Sequence, residues 1–313
     1  MNNRIYGRLN SSIISYVLII LYIITGSLSN FGAIDILAPQ WIYLGCINLI
    51  SCLYLIYNSD LNYSQSFFKL FKTTYIYIYL FYFIWNIFSY FYAVNSTETL
   101  INLPRIGNTF FAIIFCFFLL SNLPNPLKFT LNVFFIFLFA EMLSYYYDLS
   151  EVYPKEGLRV IAIKGFAGNK NITAASIALK LPFAIFLFLN SKKLFFKIIT
   201  FIVSTSAILA ISLIEARAAI LSTIIVFILL ILFFMFKIFA EKKDIKNNSL
   251  QISKLISPYI VAFIINLIAT NTANDKYKKT DITETIGKIA FTEESSNGRF
   301  NYWGDAWKYI KEN

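Results

Sequence analysis

The chain has 313 residues, 58% of them hydrophobic and 14% charged, with a formal net charge of +10, three Cys and no His. A soluble domain carries roughly 25% charged residues to solvate its surface, so this balance and a mean hydropathy of +0.64 exclude a soluble globular or disordered protein and make lipid the solvent for much of the chain. The missing His removes the commonest general base, His-containing zinc sites and Ser-His-Asp triads, which leaves Arg, Lys, carboxylates and amides for any chemistry.

Apolar runs predict an all-α, polytopic bundle of about nine membrane-spanning helices: 13–28, 38–57, 73–94, 106–120, 127–147, 173–189, 194–214, 216–239 and 250–270. The first follows Arg4 and Arg8 directly and ends without a small-residue cleavage site, so it reads as an anchor and not as a signal peptide. The fourth is short and has room to begin earlier, near Leu100. Cys46, Cys52 and Cys116 lack metal-ligand spacing and read as small buried apolar residues.

Most Lys and Arg residues sit in short loops between these runs, which makes them topological signals and argues against nucleic acid as a partner. One set of alternate loops carries thirteen, from Arg4 and Arg8 through Lys192, Lys193 and Lys197 to the cluster ending at Lys254; the other carries six, including Arg105, Lys170 and Arg217. The richer side should be cytoplasmic, together with the N-terminus, and the tail should be outside. Residues 1–270 form the expected transmembrane domain. Residues 271–313 hold seven basic and seven acidic residues and begin an outer segment. Within it, Phe300, Trp303, Trp307 and Ile310 recur at helical spacing after Ser295-Ser296-Asn297-Gly298, which predicts an amphipathic helix near 299–310.

Charge inside the apolar runs carries more information. The 42 residues from Ile198 to Phe239 hold Glu215 and Arg217 at their centre. As one helix they would be ~63 Å long, about twice the hydrocarbon thickness, so the chain must break there. The break serves either as a plain surface turn or as the mouth of a cavity where a guanidinium fork meets a phosphate. Lys180 lies ~13 Å below the outer end of the sixth span and Glu141 ~10 Å below that of the fifth, so an ion pair between them is expected. In the outer loop Lys164-Gly165-Phe166-Ala167-Gly168-Asn169-Lys170-Asn171, two glycines and an Asn in N-cap position lead into a helix N-terminus, whose free N–H groups suit an anion. Arg299 opens the tail helix, where the dipole disfavours a cation unless an anion is present. Arg105, beside Pro104 at the start of the fourth span, has the setting of an Arg that snorkels to headgroups.

Three stretches resemble the O-antigen ligase and O-antigen polymerase family of bacterial inner-membrane glycosyltransferases. GFAGNKNITAASIALKLPF at 165–183 is similar to the family's Gly-Asn-x-Asn loop and following helix. IEARAAILS at 214–222 is similar to its Ser/Ala-Arg-Gly/Ala segment, with Glu215-Ala216 where Ser more often precedes the Arg. NGRFNYWGDAWKYIKEN at 297–313 is similar to its Gly-Arg-x(3)-Trp outer helix.

The resemblance implies a transferase that moves a glycan from undecaprenyl pyrophosphate on the periplasmic side to lipid A core, a growing polysaccharide or a protein hydroxyl, without metal, nucleotide sugar or other cofactor. It implies Arg217 and Arg299 as pyrophosphate ligands and Asn169 and Asn171 as shapers of the adjacent loop; Arg105 and Lys180 are added from position alone. Partners would be the lipid-linked glycan, a lipid or glycan acceptor and membrane lipids. The family's His follows its outer helix, whereas this chain ends at Lys311-Glu312-Asn313, so a partial chain without transfer activity by itself is expected. Competing expectations are a polysaccharide or lipid-linked oligosaccharide transporter or flippase, with Glu141 and Lys180 in its pathway, and a non-catalytic membrane assembly protein.

Overall fold

The computed structural model describes residues 2–28, 37–57, 69–93, 95–156, 165, 169–241, 245–272 and 299–312. Every extended element among them is helical: α1 (Asn2–Ile24), α2 (Ala38–Tyr57), α3 (Thr74–Ser89), α4 (Ser96–Ser121), α5 (Pro126–Glu156), α6 (Lys170–Asn190), α7 (Leu194–Ile214), α8 (Arg217–Glu241), α9 (Ile245–Thr272) and α10 (Arg299–Glu312). Seven of these, α2 and α4 to α9, are long and apolar enough to cross a membrane. The first and third expected spans fall on shorter apolar helices, Ser12–Ile24 within α1 and the 16-residue α3.

Several helix bounds depart from the hydropathy pattern, two of them for clear local reasons. α4 starts at Ser96 because Asn95 caps it, its side-chain oxygen accepting from the Glu98 N–H at 3.3 Å. Arg105 therefore lies nine residues inside α4 and not at its start. α5 runs on to Glu156, nine residues past the expected end at Tyr147, because nothing in Asp148-Leu149-Ser150 breaks a helix once the apolar run stops. Cys46 is exposed and Cys52 and Cys116 are half-buried, which corrects the expectation that all three are buried; in lipid an exposed thiol on α2 meets an apolar solvent.

The chain divides into two compact units with their boundary between Val133 and Phe134. In the first, α1, α2 and α3 all pack against α4. Leu18, Ile19, Leu44, Ile47 and Leu119 form its core, crossed by a buried polar thread in which the Tyr22 hydroxyl donates to Asn48 Oδ1 at 2.8 Å. Asn48 Nδ2 then donates to the Asn108 carbonyl at 2.9 Å. Such uncharged hydrogen bonds join helices where lipid offers no hydrophobic drive between them. On α3, Tyr79 and Phe83 stack on Phe110 of α4 at 5.7 and 5.8 Å.

In the second unit α6 is central, packing against α7 and α8, while α9 packs against α6, α7 and α8. Ala174, Ala184, Ala207 and Ala210 are fully buried, and such small residues let neighbouring helix backbones approach closely. α5 joins through side chains: Phe134 stacks on Phe183 at 4.5 Å and the Tyr146 hydroxyl donates to the Ser206 carbonyl at 2.9 Å.

Candidate functional site

The second unit gathers three of the six sequence-predicted residues, Asn169, Asn171 and Arg217, at one end. α6 and α7 are consecutive helices joined by Ser191-Lys192-Lys193, and α7 and α8 by Glu215-Ala216, so the N-terminus of α6, the C-terminus of α7 and the N-terminus of α8 lie at the same end of the packed α6–α7–α8 group.

The α6 end is built by its loop. Asn169, in extended conformation, caps the helix, its side-chain oxygen accepting from the Asn171 N–H at 2.9 Å. Asn169 and Asn171 are both exposed. Gly165 has φ +58°, and a Cβ there would lie 2.6 Å from the Thr173 hydroxyl oxygen, so this position requires glycine on two counts. Thr173 is itself buried on α6, which ties the approaching loop to the first turn of the helix. Lys164 and 166–168 lie outside the described residues.

The α7 to α8 break falls where the two charges predict it. Glu215 closes α7 in a left-handed conformation with φ 56°, the only positive φ on a non-glycine among the described residues. That geometry costs roughly 1–2 kcal/mol for a side chain with a Cβ. It turns the chain in two residues, after which the Ala216 carbonyl accepts from the Ile220 N–H at 3.0 Å and Arg217 opens α8 half-buried. α6, α8 and α10 thus each open on a cation, Lys170, Arg217 and Arg299, with no acid in the first turn. This reverses the usual dipole preference and makes each of these helix starts a match for an anion. The Arg299 side chain lies outside the described residues, and so does the capping stretch 295–298.

Below Arg217, three helix faces converge on a cleft of about 240 Å³ that the sequence did not reveal. Ile208, Ile211 and Ser212 of α7, Ile220, Thr223 and Ile224 of α8, and Tyr259, Ala262, Phe263 and Asn266 of α9 line it. Asn266 Nδ2 donates to Ser212 Oγ at 2.8 Å across its wall, and the buried Tyr259 hydroxyl has no protein partner among the described residues. Arg217, Ile220 and Ile224 share one face of α8 at helical spacing, so Arg217 stands one turn along the helix from a residue that lines the apolar slot. The one legible signal in the sequence was Asn266, an amide inside an apolar run.

Lys180 is not at this end. Its Nζ donates to Glu141 Oε2 at 2.8 Å and also contacts Ser176 Oγ, one turn earlier on α6. Both charged side chains are over nine-tenths buried. Lys180 is the midpoint of α6, ~15 Å from either end, and Glu141 the midpoint of α5, ~22 Å from either end. The pairing is as expected; Glu141 lies farther from the end of its helix than expected because α5 extends to Glu156, past the apolar run. Arg105 belongs to the first unit, half-buried, its guanidinium donating to Asn102 Oδ1 at 3.4 Å.

No group of three or more His, Cys, Asp or Glu that could hold a metal occurs among the described residues. Comparison of the chain with protein families, curated proteins and solved structures finds no match.

Proposed function

We propose that this protein engages the pyrophosphate of a lipid-linked glycan, as a glycosyltransferase of the O-antigen ligase and polymerase type. In this reading nine helices cross a bacterial inner membrane, the N-terminus is cytoplasmic, and the end carrying Asn169, Asn171 and Arg217 faces the periplasm. The observation that supports it most is the start of α8, where a strained two-residue turn sets a half-buried guanidinium on a helix N-terminus one turn above an apolar cleft.

The chemistry follows from charge. When the anomeric C–O bond to pyrophosphate breaks, negative charge develops on the leaving oxygen, and the Arg217 guanidinium with the α8 N-terminus would stabilise it more in the transition state than in the ground state. The α6 N-terminus, capped by Asn169, would shape the adjoining loop, and Arg299 would add a second guanidinium. The acceptor is a hydroxyl of lipid A core, of a growing polysaccharide or of a protein. No metal or cofactor enters this scheme. Binding of undecaprenyl pyrophosphate glycan to the purified protein, weakened by Arg217→Gln, tests it.

One observation favours a second reading, a transporter or flippase: the Glu141–Lys180 pair occupies the middle of two helices, where coupling groups of transporters lie. Net glycan accumulation in sealed proteoliposomes, lost on Lys180→Met, would support that reading over the first.

A further inference from the structure

We propose that α10 is an interfacial helix that lies on the same bilayer its chain spans, with Trp307 among the lipid headgroups and upper acyl chains. The residues of α10 from Gly304 to Tyr309, more than one full turn, are all exposed. Trp307 is 61% exposed; Tyr309, 52% exposed, is two residues on and about 160° round the helix, so of the two rings it is Trp307 that carries the interfacial placement. Trp and Tyr pair an apolar ring with one polar group and concentrate at the membrane–water boundary for that reason.

Charge complements this placement. Lys311 sits one turn beyond Trp307 on the same side, its Nζ 5.7 Å from the ring centroid, and Lys308 is about 100° round, at the edge of the water side. Asp305 is two residues from Trp307 and thus about 160° round the helix, on the side turned to water. An aromatic body flanked by lysines and opposed by an acid matches an anionic headgroup layer over apolar chains. The sequence continues the stripe, with Phe300, Trp303, Trp307 and Ile310 at helical spacing. α10 is tethered by residues 273–298 to α9, whose segment Asn247–Ala269 is long and apolar enough to cross the membrane, so the bilayer is always within reach of the helix. This inference is independent of the reaction proposed above, since it concerns only what covers one face of α10.

Nitroxide scanning of residues 301–311 tests it, on the full chain with Cys46, Cys52 and Cys116 changed to Ala, in vesicles of phosphatidylethanolamine and phosphatidylglycerol. Oxygen accessibility should rise and fall with a period near 3.6 residues, with maxima at 303, 307 and 310. Accessibility to a water-soluble nickel complex should be out of phase, highest at 301, 305 and 308. High nickel accessibility at every position would show a solvated helix and overturn the proposal; low accessibility to both reagents at 307 would show a protein partner and overturn it equally. The unlabelled protein provides a second measurement if labelled variants fold poorly: lipids brominated near the headgroup should quench Trp fluorescence more in the wild type than in Trp307→Phe. Equal quenching would contradict the interfacial placement.

Discussion

Lys180 and Glu141 meet at 2.8 Å from the midpoints of two helices, so each neutralises the other's charge in the apolar centre of its helix. Removing one partner strands the other. Lys180→Met should cost about 3 kcal/mol or more and reduce the yield of monodisperse protein. The double variant Lys180→Met with Glu141→Leu should recover most of that loss, because two apolar side chains leave no buried charge. Thermal unfolding in detergent of the single and double variants measures it; a double variant no better than the single would mean that the pair does more than neutralise itself.

Gly165 is the second point where a single atom decides. Gly165→Ala should destabilise by about 1–2 kcal/mol, since it forces a Cβ into the left-handed region and against Thr173. Adding Thr173→Ala removes the atoms at 2.6 and 2.7 Å but leaves the backbone strain and the Thr173 Cβ at 3.2 Å, so rescue should be partial. A double-mutant cycle on melting temperature separates the clash from the strain.

Much of this arrangement is legible in the sequence, and the reasons differ by element. Two charges inside a run too long for one helix give the α7 to α8 break, and an Asn before a basic, apolar-periodic stretch gives the α6 cap. Mid-run Lys and Glu give their own pairing, because burying either alone is prohibitive. The start of α4 is not legible from hydropathy, since Ser96 to Leu103 is only mildly apolar and includes polar residues before Pro104; the Asn95 and Glu98 pair was its only marker. The cleft was hidden for a different reason: its walls come from residues i, i+3 and i+4 on three helices, and no single segment shows that these faces converge. The Tyr22, Asn48 and Asn108 thread is hidden likewise, because its members are 26 and 60 residues apart.

At the α7 to α8 turn, Glu215→Gly should raise stability by up to about 1 kcal/mol, because glycine adopts the left-handed region without the Cβ penalty. Glu215→Val should lower it by at least about 1 kcal/mol, as a β-branched side chain fits that region worst. The order Gly, Glu, Val in melting temperature checks the strain. If the Gly variant gains stability yet loses binding of the lipid-linked glycan, the carboxylate is retained for function.

The central claim is that Arg217 grips a lipid-linked pyrophosphate, and its most direct test is binding of undecaprenyl pyrophosphate glycan to the purified full chain by the wild type, Arg217→Lys and Arg217→Gln. Lys keeps the charge but loses the planar two-point fork, so affinity should fall about tenfold with Lys and further with Gln, while all three proteins keep the same melting temperature within about 2 °C. Affinities indistinguishable among the three would contradict the account.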